Sequence, residues 1–295
     1  MSTALAHTYP QVKNLYAEAS SVLGYDLWKL VSEGPEDELN STAKTQPALL
    51  TAGVAVWNVW RENNGPLPVV MAGHSLGEYT ALVCSGSIDF TDAVSLVADR
   101  GTYMQSAVPQ GTGTMAAILG LTDQQVIEIC RECANGEIVS PANFNTPGQV
   151  VIAGNTSAVN RAVEAATRAG AKRSIILPVS VPSHCELMRQ AAEKFSVRIN
   201  NIKFKTPQIP VIHNVDVSSK PEPDNIRQAL VMQLYSPVRW VETVETMVKS
   251  GITTIVECGP GKVLSGLIKR IDRNIETLPV YDPDTVDKAR FSFSS

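Results

Sequence analysis

The sequence predicts an α/β fold: a parallel sheet flanked by helices, with a smaller unit inserted into it. Three observations carry this. The apolar runs Val69 to Ala72 and Ile252 to Glu257 lack alternation, as parallel strands buried on both faces do. Segments of helical period lie between the strands, as parallel crossovers require. From Gly111 to Val179 the rhythm changes to β-α-β-β-α-β, the order of a ferredoxin-like unit. The expected division is residues 1–110 and 180–295 for the larger domain and 111–179 for the insert.

In chain order, Met1 to Pro10 shows no strand. Gln11 to Leu23 carries apolar residues at helical spacing (Val12, Leu15, Tyr16, Ala19, Val22, Leu23) and stops at Gly24. Short helical turns are expected over Asp26 to Val31 and Glu36 to Leu39. A long, mostly apolar helix should run from Thr45 to Asn63, with Pro47 in its first turn. Within the insert, strands are expected over Thr114 to Leu119, Ile138 to Phe144, Gln149 to Ala153 and Arg173 to Pro178. Helices Asp123 to Ala134 and Thr156 to Ala169 separate them, and Asn145-Thr146-Pro147-Gly148 supplies the hairpin turn. Beyond lie a strand at Ile209 to His213 and helices Asp224 to Leu234, Pro237 to Lys249 and Lys262 to Arg273. A last strand is expected near Leu278 to Tyr281, and from Asp284 the tail is polar and expected to fray.

Composition narrows the function. A formal net charge of −4 leaves no basic excess for nucleic acid. No apolar run is long enough to span a membrane and no signal peptide is evident, so a cytoplasmic protein is expected. Five scattered cysteines suit reduced thiols better than a disulfide framework. Cys130 and Cys133 form a single C-x-x-C within a helical pattern, so no metal site is expected.

The stretch most charged with chemistry is Gly73-His74-Ser75-Leu76-Gly77, a G-x-S-x-G between the Val69 to Ala72 strand and a helix from Glu78 to Cys84. Strand, tight turn and helix form a nucleophile elbow, with glycines admitting the bend and the close helix. Ser75 would sit at the helix N-terminus, where free N–H groups and the dipole favour an oxyanion. A serine needs a base. His7 lies where little structure is evident, and His74 adjoins the serine, where neighbouring side chains diverge. His184 stands in a proline-punctuated loop before a helix and His213 closes a strand; loop placement favours His184, with geometry decisive. On the helix Thr91 to Ala107, Arg100 falls on the inward stripe of Ala93, Leu96, Val97 and Met104. A guanidinium there is either a structural ion pair or a clamp for a carboxylate, and the residues alone leave both open.

Taken together, Gly73 to Glu78, Thr45-Gln46-Pro47-Ala48, Asn143-Phe144-Asn145, Val181-Pro182-Ser183-His184 and Glu257-Cys258-Gly259-Pro260-Gly261 resemble the malonyl-CoA:acyl carrier protein transacylases, from about Met1 to Arg273 with the motifs in order. The resemblance implies an α/β-hydrolase-like core with a ferredoxin-like subdomain. It implies malonyl transfer from coenzyme A to the phosphopantetheine thiol of acyl carrier protein in fatty acid synthesis, through malonyl-Ser75. Residue by residue it makes His184 the base, Arg100 the holder of the malonyl carboxylate and Gln46 a pocket residue. Leu76 supplies an oxyanion N–H, His74 is counted with the substrate-binding residues, and the Gln233 main-chain carbonyl orients His184. No resident cofactor is implied, and a monomer is expected.

Carrier proteins of this type are acidic, and Lys262, Lys269, Arg270 and Arg273 along one stretch of helix are either a face that meets one or a charged face that is simply solvated. One departure stands out: the family opens on a strand and a Gly-Gln-Gly-Ser-Gln loop carrying a second oxyanion donor, and this chain shows neither. An upstream start, a removed segment or an impaired variant would account for it, and the intact downstream motifs agree best with the first. The rival expectations are a serine hydrolase or thioesterase, which would use water and an acidic partner for its histidine, and a non-catalytic relic.

Overall fold

Ser75, the expected nucleophile, lies on the stretch of chain that joins two packed helices, α5 (Thr42–Glu62) and α7 (Phe90–Gln105). The computed structural model describes residues 2–179 and 181–293. Met1, Ser180, Ser294 and Ser295 lie outside the described residues. With them go the first residue of the expected strandless opening, the first residue of the expected 180–295 segment and the end of the expected frayed tail.

The chain opens on helix α1 (Thr3–Thr8), where the sequence shows little structure, and Leu5 and Ala6 bury against the main core. Helix α2 (Gln11–Leu23) ends as expected, with Gly24 at φ 73° accepting the left-handed cap that an L side chain resists. Asp26 caps α3 (Leu27–Glu33) by accepting from the Lys29 N–H at 2.8 Å, and α4 (Glu36–Leu39) follows. Helix α5 begins three residues before the expected Thr45, which leaves Pro47 inside it rather than in its first turn. It buries Leu50, Val54, Val56, Val59 and Trp60, since an apolar surface on most sides must be covered on most sides.

The expected strand from Val69 shrinks to β1 (Met71–Ala72), and Val69 is 72% exposed. β1 pairs in parallel with β6 (Val211–Ile212), while β7 (Thr254–Cys258) pairs in parallel with β8 (Glu276–Val280). Among the described residues neither β1 nor β7 has a second strand neighbour, so the expected parallel sheet is present as two pairs. Met71 and Val256 reach one apolar cluster while Ala72 and Ile255 reach another, so both pairs serve the same two faces of one layer. An open edge also accounts for the half-buried side chains along β7.

The remaining sheet has the order β3-β4-β2-β5, from β2 (Gly113–Leu119), β3 (Val139–Thr146), β4 (Gln149–Asn155) and β5 (Arg173–Ile176), all antiparallel. Its hairpin is tighter than the expected four-residue turn: Thr146 pairs with Gln149, leaving Pro147 and Gly148, the latter at φ 74°. Helices α8 (Asp123–Cys133) and α9 (Thr156–Arg168) cover one face with Val126, Cys130, Val159 and Ala162. The other face turns toward Cys185, beside the site. Phe144 donates its N–H to the Val238 carbonyl at 2.9 Å and Val238 donates to Ala142 at 2.8 Å, tying this sheet to the larger core. The architecture is an α/β-hydrolase-like core with a ferredoxin-like subdomain.

Helices α10 (Arg189–Ile199), α11 (Pro223–Gln233), α12 (Trp240–Lys249) and α13 (Val263–Ile271) complete the covering layers. The described tail is not frayed. Pro283 to Phe291 forms α14, because Asp282 and Thr285 make a reciprocal capping box and Val286 and Ala289 are buried.

Candidate active site

The elbow folds sharply because Gly73 has no side chain. A Cβ there would stand 1.9 Å from the Gly77 carbonyl carbon, so no larger residue fits while α6 (Gly77–Cys84) packs so near. Gly77 itself meets no such limit, since a Cβ added there has nothing within 4 Å. The close approach is made by one glycine of the motif, not both. Ser75 sits at φ 50° and His184 at φ 62°, both in the left-handed region. Holding an L residue there costs about 1–2 kcal/mol, so surrounding bonds must fix each one.

Those bonds are present. Asn214 accepts the Ser75 N–H through Oδ1 at 2.8 Å and donates Nδ2 to the Gly73 carbonyl at 2.8 Å, bracing both sides of the turn. His184 donates its N–H to the Leu234 carbonyl at 3.0 Å. The nucleophile and base meet: Ser75 Oγ lies 2.8 Å from His184 Nε2. His184 Nδ1 lies 2.7 Å from the Gln233 main-chain oxygen, which can only accept, so Nδ1 carries the proton and Nε2 presents its lone pair to the serine O–H. A carbonyl here does what a carboxylate does in hydrolase triads. Burial, and then the Arg100 charge, pull the His184 pKa down to about 3, which keeps the base neutral.

Arg100 is 2% exposed and has no carboxylate partner among the described residues. Nη1 donates to Gln46 Oε1 at 2.7 Å, Nη2 donates to Gln233 Oε1 at 2.9 Å, and Nη2 also lies 3.5 Å from Ser75 Oγ. Arg100 Nε is buried with no acceptor among the described residues. The Tyr79 ring, 5.3 Å away, and neutral oxygens surround this buried guanidinium and one donor stays idle, an arrangement suited to an anion. The structural ion pair that the sequence left open is not what holds Arg100. The Leu76 N–H follows the nucleophile and meets no backbone acceptor among the described residues, as an oxyanion donor should.

His74 lies 2.8 Å, through Nε2, from Asn145 Oδ1 of β3, so it joins the elbow to the subdomain; desolvation lowers its pKa. His7 lies exposed on α1. His213 is fully buried with Nδ1 2.7 Å from Glu78 Oε1, which occupies it away from the serine. Of the four candidate docking cations, Lys269 donates to the Ile275 carbonyl at 2.6 Å and Arg270 donates to Gln149 Oε1 at 3.0 Å. Sequence reasoning missed Glu78, Asn214 and the side-chain role of Gln233. Glu78 closes the quoted motif, but its partners lie 135 to 155 residues away, beyond any local signal.

Residues 2–292 match the family described as acyl transferase domain. The malonyl CoA-acyl carrier protein transacylase of Escherichia coli (strain K12) is 54% identical over 289 residues, which are 98% of this chain and 94% of that protein. Its counterpart in Bacillus subtilis is 44% identical over 290 residues, covering 98% of this chain and 91% of that protein. The solved malonyl CoA-acyl carrier protein transacylase of Coxiella burnetii superposes with a TM-score of 0.99 at 49% identity, covering 100% of this chain and 93% of that one. A malonyl-transacylase solved in complex with its type II PKS acyl-carrier protein superposes at 0.98 with 54% identity, covering 99% and 94%. Identity at this level across nearly all of both chains, with the motif residues drawn to one serine, places the chain in the malonyl CoA-acyl carrier protein transacylase family.

Proposed function

We propose that this chain transfers a malonyl group from coenzyme A to the phosphopantetheine thiol of an acyl carrier protein, with Ser75 as the acylated residue. The observation that carries it is the buried Arg100 beside Ser75 Oγ, which no carboxylate meets among the described residues. His184 Nε2 takes the serine proton as Oγ attacks the thioester carbonyl. The tetrahedral oxyanion is met by the Leu76 N–H and the start of α6. His184 then returns the proton to the departing coenzyme A thiol, leaving malonyl-Ser75 with its carboxylate on Arg100. The carrier thiol gives its proton to His184, attacks the ester and reverses the sequence. No step in this sequence is assigned to a resident cofactor; malonyl-CoA enters as substrate and the phosphopantetheine arrives on the carrier.

The clamp gives selectivity because an acetyl group would leave the buried guanidinium unmet. The division into a catalytic domain of residues 1–110 and 180–295 and a subdomain of 111–179 puts this chemistry on the larger part, with His74 and Asn145 as a link. No described helix is long and apolar enough to cross a membrane; action in the cytoplasm, beside a soluble carrier, is part of the proposal.

Intact mass after mixing with malonyl-CoA tests the reading. A malonyl adduct on Ser75 that a carrier protein removes is the expected result. An unmodified chain, or rapid release of free malonate without carrier, would replace transferase by inert protein or by hydrolase.

A further inference from the structure

The acidic residue that follows the elbow has no place in the mechanism just described. Glu78 is fully buried, and no lysine or arginine meets it among the described residues. Its Oε1 lies 2.7 Å from His213 Nδ1, while Oε2 accepts the Asn214 N–H at 3.0 Å and Gln233 Nε2 at 2.8 Å. A buried carboxylate so surrounded is costly to desolvate, and its removal leaves several donors unmet.

The bond to Gln233 has a chemical consequence for the clamp. An amide has a donor end and an acceptor end, and Glu78 Oε2, which already accepts the Asn214 N–H, offers Gln233 an acceptor. Glu78 therefore fixes which way the Gln233 amide points. With Nε2 on Glu78, and also on the Ser75 carbonyl at 3.0 Å, Oε1 is left facing Arg100 Nη2. Turned over, the amide would set its NH2 group against a guanidinium, donor against donor.

We propose that Glu78 is a positioning residue for acyl selectivity: by fixing the orientation of the Gln233 amide it holds Arg100 as a carboxylate clamp beside Ser75. The proposal rests on the malonyl-Ser75 reading above. A purely structural Glu78, welding α6 to the segment after β6, would affect malonyl and acetyl loading alike. A positioning Glu78 affects malonyl loading more.

The test measures kcat/KM for loading of Ser75 from malonyl-CoA and from acetyl-CoA, in the wild type, in Glu78→Gln, and in the double variant Glu78→Gln with Gln233→Glu. The double variant exchanges acid and amide, so one amide–carboxylate bond survives to support folding, and it sets a permanent carboxylate on Arg100. Hydrogen bonds to charged groups are typically strong enough that losing one changes a ratio by about tenfold or more. The malonyl-to-acetyl ratio should therefore fall by about tenfold in Glu78→Gln. In the double variant the malonyl KM should rise by more than the acetyl KM does. Equal losses on both substrates in Glu78→Gln, or an unchanged malonyl KM in the folded double variant, would overturn the role of Glu78. Failure of the wild type to load malonate at all would instead overturn the function itself.

Discussion

Arg100 shows at the scale of one residue how burial becomes specificity. Its donors meet two amide oxygens, which satisfy hydrogen bonds but leave the charge uncancelled. Replacing it by alanine should lower kcat/KM for malonyl-CoA by roughly 10–100-fold, the value of a charge-assisted bond, with a much smaller effect on acetyl-CoA; equal losses in steady-state assays would remove the clamp. His184 sets the pH response. Its pKa is held near 3 in the folded chain against an ordinary value of 6.5, so below 6.5 the unfolded chain binds the proton more readily. Stability from this group is full above about 6.5 and is lost as pH falls toward 3. Loading of Ser75 in the free enzyme should accordingly show no base titration near pH 6.5, and a pH profile of single-turnover acylation would reveal one if it existed.

The elbow and the last helix illustrate what an element requires. Gly73→Ala puts a methyl group into the backbone of α6 and should destabilise by about 3 kcal/mol, the upper end for overpacking, with loss of serine acylation. Gly77→Ala, having open space, should be tolerated, and urea unfolding of the pair separates the two glycines. Asp282 caps α14 through the Thr285 N–H at 2.8 Å, so Asp282→Ala should cost about 1 kcal/mol by the same measurement without touching catalysis.

Across the whole molecule, the site is assembled at the junction of the larger core and the subdomain. The His74–Asn145 contact and the Phe144–Val238 pairing carry that junction. The exposed cations Lys262 and Arg273 flank α13, while Lys269 and Arg270 are partly engaged by the protein's own acceptors. Reversing Lys262 and Arg273 together to glutamate should raise the KM for an acidic carrier several-fold at low salt and leave loading from malonyl-CoA unchanged. Transfer assays at two ionic strengths would expose a KM that does not move.

Features that depend on neighbouring residues are legible in the residue order alone. Strand, glycine turn and helix around Ser75 follow from the order of residues, as do Arg100 on a buried helix stripe and the β-α-β-β-α-β rhythm of the insert. Even there, single signals misled. The capping box at Asp282 read as a polar tail, and the Val69 run read as a buried strand although Val69 is largely exposed. The residues alone left His184 against His213 and clamp against ion pair, and the family resemblance assigned the roles. It takes the packed layers to show that His213 belongs to Glu78 and that the Gln233 amide faces the clamp. Hydrogen bonds between residues more than a hundred positions apart depend on how layers pack, and local spacing carries no record of that.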